Sequence, residues 1–166
     1  MLPENLVNQA ATVLDAARAA DVQLTAAESC TGGLIMGCLT EVAGCSDVVE
    51  RGFVTYTNQS KHEMLGVDEE ILATLGAVSE PVARAMAEGA IRITPAHASV
   101  AVTGIAGPTG GSAEKPVGLV HIASAREGAE TLHKECRFGN VGRSEVRRLT
   151  VENALDLLLR QLRLGG

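Results

Sequence analysis

Apolar residues recur at helical spacing from the start of the chain. Leu6, Val7, Ala10, Val13, Leu14 and Ala17 predict an amphipathic helix over Glu4–Ala20. Gln23–Ala27 reads as a short strand, and the period returns to helical over Thr31–Val42, opened by Ser29 or Thr31 as a cap. Asp47–Tyr56 is extended, with Gly52 as a bulge, and Asn58 caps a short helix that Gly66 closes after Leu65. Ser79-Glu80-Pro81 opens the next helix, which runs to about Thr94. Ala98–Thr103 is continuously apolar, as in a strand buried on both faces. Val117–Ala125 and Glu130–Phe138 alternate about Glu127-Gly128 as a hairpin, and Val141–Leu164 is a long final helix. This order predicts the α/β class: a three-layer α/β/α sandwich on a mixed sheet that includes a β-hairpin in the C-terminal half.

Composition sharpens that picture. The chain has 166 residues, enough for one domain over 1–166 with its own core. Its hydrophobic content is 46%, yet the aromatics are Phe53, Tyr56 and Phe138 alone. The core must therefore be Ala, Val, Leu and Ile, and base-stacking platforms are few. A formal net charge of −6 argues against a nucleic-acid partner but leaves room for one small phosphate held by local cations. Cys30, Cys38, Cys45 and Cys136 form no CxxC pair, which predicts free thiols in a reducing compartment and neither a metal site nor a disulfide framework. The N-terminus lacks the pattern of a signal peptide, and no apolar run is long enough to cross a membrane. The expected location is the cytoplasm, and the apolar, aromatic-poor helices suit a homo-oligomer.

Three segments can carry chemistry. In AESCTGG, a strand that ends at Ser29 and turns at once into a helix aims that hydroxyl out of the sheet edge. The free N–H groups of the first helical turn, around Cys30, Thr31, Gly32 and Gly33, are the donors that a tetrahedral oxyanion needs. The flanking residues are not those of GxSxG, and capping of a helix by Ser29 or Thr31 explains the local sequence equally well. Cys30 next to a helix N-terminus is a rival nucleophile, but adjacent side chains point to opposite sides. In TYTNQSK, Lys61 falls in the first turn of the helix after Tyr56, where burial and the helix end lower its pKa toward that of a base. A lone lysine is otherwise a surface residue. GIAGPTGG, Gly104–Gly111, follows a buried strand, where its backbone N–H groups can meet a phosphate, or where it is simply a connection. Lys115, Arg143, Arg147 and Arg148 add nearby cations, with Arg143 and Arg147 on one helical face.

Together these segments resemble the CinA C-terminal-domain family, the nicotinamide mononucleotide amidohydrolases. The matching residues are AESCTGG (27–33), RGFVTYTNQSK (51–61), LGV (65–67), GAVSE (76–80), TGIAGPTGGS (103–112), EKPVG (114–118) and RSEVRR (143–148). They follow the family's order, in a chain with the length of its stand-alone form. The resemblance implies deamidation of nicotinamide mononucleotide to nicotinic acid mononucleotide and ammonia, in pyridine-nucleotide salvage, with no metal or cofactor. It implies Ser29 as nucleophile, Lys61 as its base and Tyr56 in the catalytic group. Asn58, Thr103, Gly104, Gly107, Gly110, Gly111 and Arg143 would bind the substrate. Two other readings stand beside it: a thiol hydrolase using Cys30, and a non-catalytic nucleotide-binding or regulatory module.

Overall fold

The structure is a computed structural model and describes residues 2–164. Its elements in chain order are α1 (Glu4–Ala19), β1 (Leu24–Glu28), α2 (Leu34–Glu41), β2 (Val49–Val54), α3 (Asn58–Leu65), α4 (Glu69–Leu75), α5 (Glu80–Arg92), β3 (Ala98–Gly104), β4 (Leu119–Arg126), β5 (Leu132–Arg137) and α6 (Arg143–Leu164). The five strands lie in the order β2-β1-β3-β4-β5. β1 is parallel to β2 and β3, whereas β3, β4 and β5 are joined antiparallel. The α/β class, the mixed sheet and the C-terminal hairpin agree with the sequence pattern.

Period-two alternation along the strands divides the core between the two faces. Leu24, Ala26, Val100, Val102, Val120 and Ile122 point to one face, packed under α1, α2 and α6. The other face is lined by small residues, Ala27, Ala101, Ala123 and Ala125, under α5. With so little side chain between them, sheet and helix touch directly: Ser99 Oγ donates to the Ala87 carbonyl at 2.7 Å. α5 is equally spare toward α3, because a Cβ on Gly89 would sit 2.1 Å from the Leu65 carbonyl oxygen.

Several local expectations are corrected. α2 begins at Leu34 rather than Thr31, because the Glu28 carboxylate caps it and neither Ser29 nor Thr31 does so. α3 is capped by Thr57, not Asn58. Thr57 Oγ1 accepts from Ser60 N–H while Ser60 Oγ accepts from Thr57 N–H, a reciprocal capping box. Ser79 holds the N-cap position of α5, but its hydroxyl donates to the Gly76 carbonyl and leaves the helix uncapped by a side chain. The strand irregularity between β1 and β2 falls opposite Leu24/Thr25, leaving Glu50 outside the register. Gly52 is regularly paired, and its missing side chain makes room for Met36. α4, capped by Asp68, occupies a stretch to which the apolar pattern assigned nothing.

β1 leads through α2 to β2 on one side, and the chain then crosses back through α3, α4 and α5 to β3 on the other side of β1. This reversal makes the crevice beyond the carboxyl ends of β1 and β3 a topological switch point, where open α/β sheets bind ligands. Ser29, Thr55 and the Gly104–Gly111 loop all leave the sheet at that edge.

Candidate active site

Glu28 closes β1, and its fully buried carboxylate determines the turn that follows. One oxygen accepts from Thr31 Oγ1 at 2.6 Å, Gly33 N at 3.2 Å and Ile35 N at 2.9 Å, and the other from Met36 N at 3.1 Å. A negative charge at the amino end of a helix meets free N–H groups and the positive end of the helix dipole, which offsets its burial. Glu28 lies on the α2 side of the sheet, so alternation sends Ser29 to the α3–α5 side and Cys30 back again. Cys30 accordingly packs in the core under α1, α2 and α6, where burial pushes its thiol up to about 12.

Lys61 comes to Ser29 from α3. Its side chain is 1% exposed, the largest residue by volume in the fully buried set. Lys61 Nζ lies 3.0 Å from Ser29 Oγ, 2.8 Å from the Thr55 carbonyl and 3.3 Å from the Tyr56 carbonyl. Burial lowers the Lys61 pKa to about 8, the neighbouring Cys30 opposing this slightly. When the amine is neutral it still has two N–H donors for the two carbonyls, and its lone pair is left for the Ser29 hydroxyl to donate to. The site thus holds a serine hydroxyl and an amine poised near neutrality, in contact and shielded from water.

The N–H groups of the turn are not equivalent. Gly32 N donates to the Ser29 carbonyl and Gly33 N to Glu28. Among the described residues, the Cys30 and Thr31 N–H groups have no backbone or side-chain acceptor outside Cys30 itself. Of the four expected donors, Gly32 and Gly33 are thus engaged within the turn. Tyr56 turns its ring outward, 58% exposed, and its hydroxyl accepts from Arg143 at 3.1 Å. Its contact with Lys61 is made by the backbone.

The glycine loop closes the crevice. Arg143, at the start of α6, donates to the Gly107 carbonyl at 2.9 Å, so one guanidinium ties the loop to Tyr56. Gly107 has φ +76, and a Cβ there would meet Val117 at 2.5 Å, which explains glycine at that position. Gly104 is half-buried against Val120, and Gly110 and Gly111 are exposed. The Thr103 hydroxyl is directed to the Ala77 carbonyl at 2.9 Å and fastens β3 to the segment before α5. Asn58 is exposed and lines the groove between α3 and α4 with Glu69 and Ala73; no hydrogen bond joins it to Ser29 or Lys61. Lys115, expected as a cation for a ligand, instead donates to the Leu75 carbonyl at the end of α4.

Glu28 and Arg147, like Lys115, take no definite role from the sequence. Glu28 is the cap of α2, and Arg147 donates to the carbonyls of Cys30 at 3.1 Å and Thr31 at 3.0 Å. The signal for Glu28 was present: an acidic residue ending an apolar strand, three positions before Thr31. The histidines stay out of this constellation. His97 accepts from Gln23 N–H, His62 meets the Val67 carbonyl, and His121 and His133 bond to each other at 2.9 Å.

The model of the CinA C-terminal domain matches residues 7–162. The chain belongs to the CinA C-terminal domain family. It is 46% identical over 162 residues, 97% of each chain, to a nicotinamide-nucleotide amidohydrolase, PncC, of Escherichia coli K12. It is 52% identical over 140 residues to a CinA-like protein of Syntrophobacter fumaroxidans, covering 84% of this chain and 32% of that protein. The chain thus spans about a third of the length of that relative. In structure it matches a competence/damage-inducible protein from Agrobacterium tumefaciens with a TM-score of 0.95, 51% identity and 98% coverage of both chains. A CinA-superfamily protein from Escherichia coli superposes with a TM-score of 0.89 at 34% identity, over 97% of this chain and 94% of that one. No helix among the described residues is long and apolar enough to cross a membrane.

Proposed function

We propose that this protein is an amidohydrolase that converts nicotinamide mononucleotide to nicotinic acid mononucleotide and ammonia through a Ser29 acyl-enzyme, in pyridine-nucleotide salvage. The observation that carries the chemistry is the buried contact of 3.0 Å between Ser29 Oγ and Lys61 Nζ. The substrate class rests on the relative named as a nicotinamide-nucleotide amidohydrolase, which matches this chain nearly end to end.

Neutral Lys61 takes the Ser29 proton as Oγ attacks the carboxamide carbon. Negative charge moves to the carboxamide oxygen, where the N–H groups of Cys30 and Thr31, neither given to another residue, receive it. The C–N bond then breaks, the Lys61 ammonium gives its proton to the leaving nitrogen, and ammonia departs. A water molecule, deprotonated by the same amine, attacks the ester carbon. Ser29 leaves with the proton that Lys61 returns, and the product acid ionises to the carboxylate as it departs. Each proton moves between Lys61 and an atom beside it, so the dyad needs no third member. The carbonyls of Thr55 and Tyr56 hold the amine in place through the cycle.

The glycine loop and Arg143 are proposed to bind the ribose phosphate. Gly104, Gly107, Gly110 and Gly111 shape the backbone, and Arg143 keeps N–H donors beyond the two it gives to Gly107 and Tyr56. Thr103 serves by fastening the end of β3, from which the loop leaves, to the Ala77 carbonyl, and four free thiols suit a reducing compartment such as the cytoplasm. Ammonia release from nicotinamide mononucleotide, nicotinamide riboside and nicotinamide tests the reading. It is expected to be fastest with the mononucleotide. Binding without turnover would leave a nucleotide-binding module, and a preference for the riboside would remove the phosphate site.

A further inference from the structure

The turn after β1 is held from two directions. Glu28 takes up the hydroxyl of Thr31 and the N–H groups of Gly33, Ile35 and Met36 from the α2 side. Arg147 approaches from α6 and takes up carbonyls: Nε donates to Cys30 O at 3.1 Å and Nη2 to Thr31 O at 3.0 Å. Its guanidinium lies against Gly32, where a Cβ would be 3.6 Å from Nη2 and where φ is +59. A peptide unit is planar and trans, so its C=O and N–H point in opposite directions. The carbonyl of Cys30 and the N–H of Thr31 belong to one such unit. Drawing that carbonyl to Arg147 turns the Thr31 N–H away from α6.

We infer that Arg147 is a positioning residue for the oxyanion site, holding the Cys30–Thr31 peptide so that the Thr31 N–H faces the reacting carboxamide. This rests on the amidohydrolase reading above. Without the guanidinium, the peptide is free to rotate and present its carbonyl oxygen where the oxyanion must form. Arg147 is half-buried and commits two separate nitrogens, Nε and Nη2, to the turn, at a spacing that the planar fork of an arginine fixes and the one nitrogen of a shorter lysine side chain does not reproduce. A donor lost from an oxyanion site costs turnover rather than binding, because the charge it meets exists only in the transition state.

The test compares Arg147→Ala and Arg147→Lys with the wild type in ammonia release, and in affinity for the product, nicotinic acid mononucleotide. Turnover is expected to fall about 100-fold in Arg147→Ala, the size of effect seen for one oxyanion donor, with product affinity within about twofold. Added guanidinium ion is expected to restore part of the Arg147→Ala turnover, and sodium at equal ionic strength to restore none. Arg147→Lys is expected to keep the charge and still lose turnover, so a poorly folded alanine variant does not remove the test. Turnover within about twofold of wild type in either folded variant overturns the proposal. So does a loss confined to product affinity, which would make Arg147 a ligand of the phosphate. Wild-type protein that releases no ammonia overturns the amidohydrolase reading instead, and this proposal with it.

Discussion

Lys61 Nζ and Ser29 Oγ meet at 3.0 Å although 32 residues separate them in sequence, and both side chains are buried. A strand-to-helix turn carries the serine and the first turn of a second helix carries the lysine. The contact therefore depends on the parallel pairing of β1 with β2, which brings the ends of both strands to one edge.

The proposed role of Lys61 makes the reaction pH-dependent. Burial holds its pKa at about 8, well below the ordinary lysine value, and only the neutral form can act as the proposed base. As pH rises through about 8 the neutral fraction grows and kcat/KM is expected to rise to a plateau. Below that point it is expected to fall about tenfold per pH unit. A rate profile measured with nicotinamide mononucleotide checks the sign, and a rate that rises as pH falls through this range would exclude Lys61 as the base.

Cys30 is expected to be dispensable. Its thiol is buried in the core and held up at about 12 by that burial, so almost no thiolate exists near neutrality. Cys30→Ser is expected to retain ammonia release within a few-fold. Iodoacetamide at neutral pH is expected to leave activity intact. Inactivation by either route would favour a thiol hydrolase.

Glu28 is expected to matter for stability. In Glu28→Ala three backbone N–H groups and the Thr31 hydroxyl lose their acceptor. Each buried orphan costs about 1–3 kcal/mol, so a net loss of about 3 kcal/mol or more is expected. At about 2–4 °C per kcal/mol for a domain of this size, Tm falls by roughly 6–12 °C. Glu28→Gln retains one acceptor oxygen and is expected to lose less. Thermal unfolding followed by circular dichroism distinguishes the two.

Gly89 links packing to the site from a distance. A methyl group there would press on the Leu65 carbonyl and push α3 off α5, and α3 carries Lys61. Gly89→Ala is expected to lose about 1–3 kcal/mol of stability and to lower turnover as well. Calorimetry and the ammonia assay on the same preparation check both.

Much of this arrangement was legible in the chain. The helical period of α1, the apolar run of β3 and the alternation of β4 and β5 reflect one-sided or two-sided burial, which sequence records directly. The alternation that separates Ser29 from Cys30 is equally local. Residues whose partners lie far away in sequence were harder to read. Arg147 is 117 positions from Cys30, and as one of three arginines in RSEVRR it looks like any solvated helix charge. Lys115 has the opposite history: its place beside the glycine loop suggested a ligand, and the fold gives it the end of α4. Gly66 closes α3 and Ser79 stands at the start of α5 as the pattern predicts, whereas α3 is capped one position earlier than Asn58, by Thr57, and Glu28 does for α2 from the preceding strand what a cap does from beside the helix.

The most direct measurement is a rapid acid quench of enzyme mixed with nicotinamide mononucleotide, followed by mass spectrometry of the peptide containing residues 27–33. A nicotinoyl-mononucleotide ester is expected on Ser29 in the wild type, absent in Ser29→Ala and in Lys61→Arg, whose guanidinium does not give up its proton. Ammonia release is expected to fall about 10²–10⁴-fold in Lys61→Arg. An adduct on Cys30, or undiminished ammonia release from Ser29→Ala, would contradict the Ser29 acyl-enzyme.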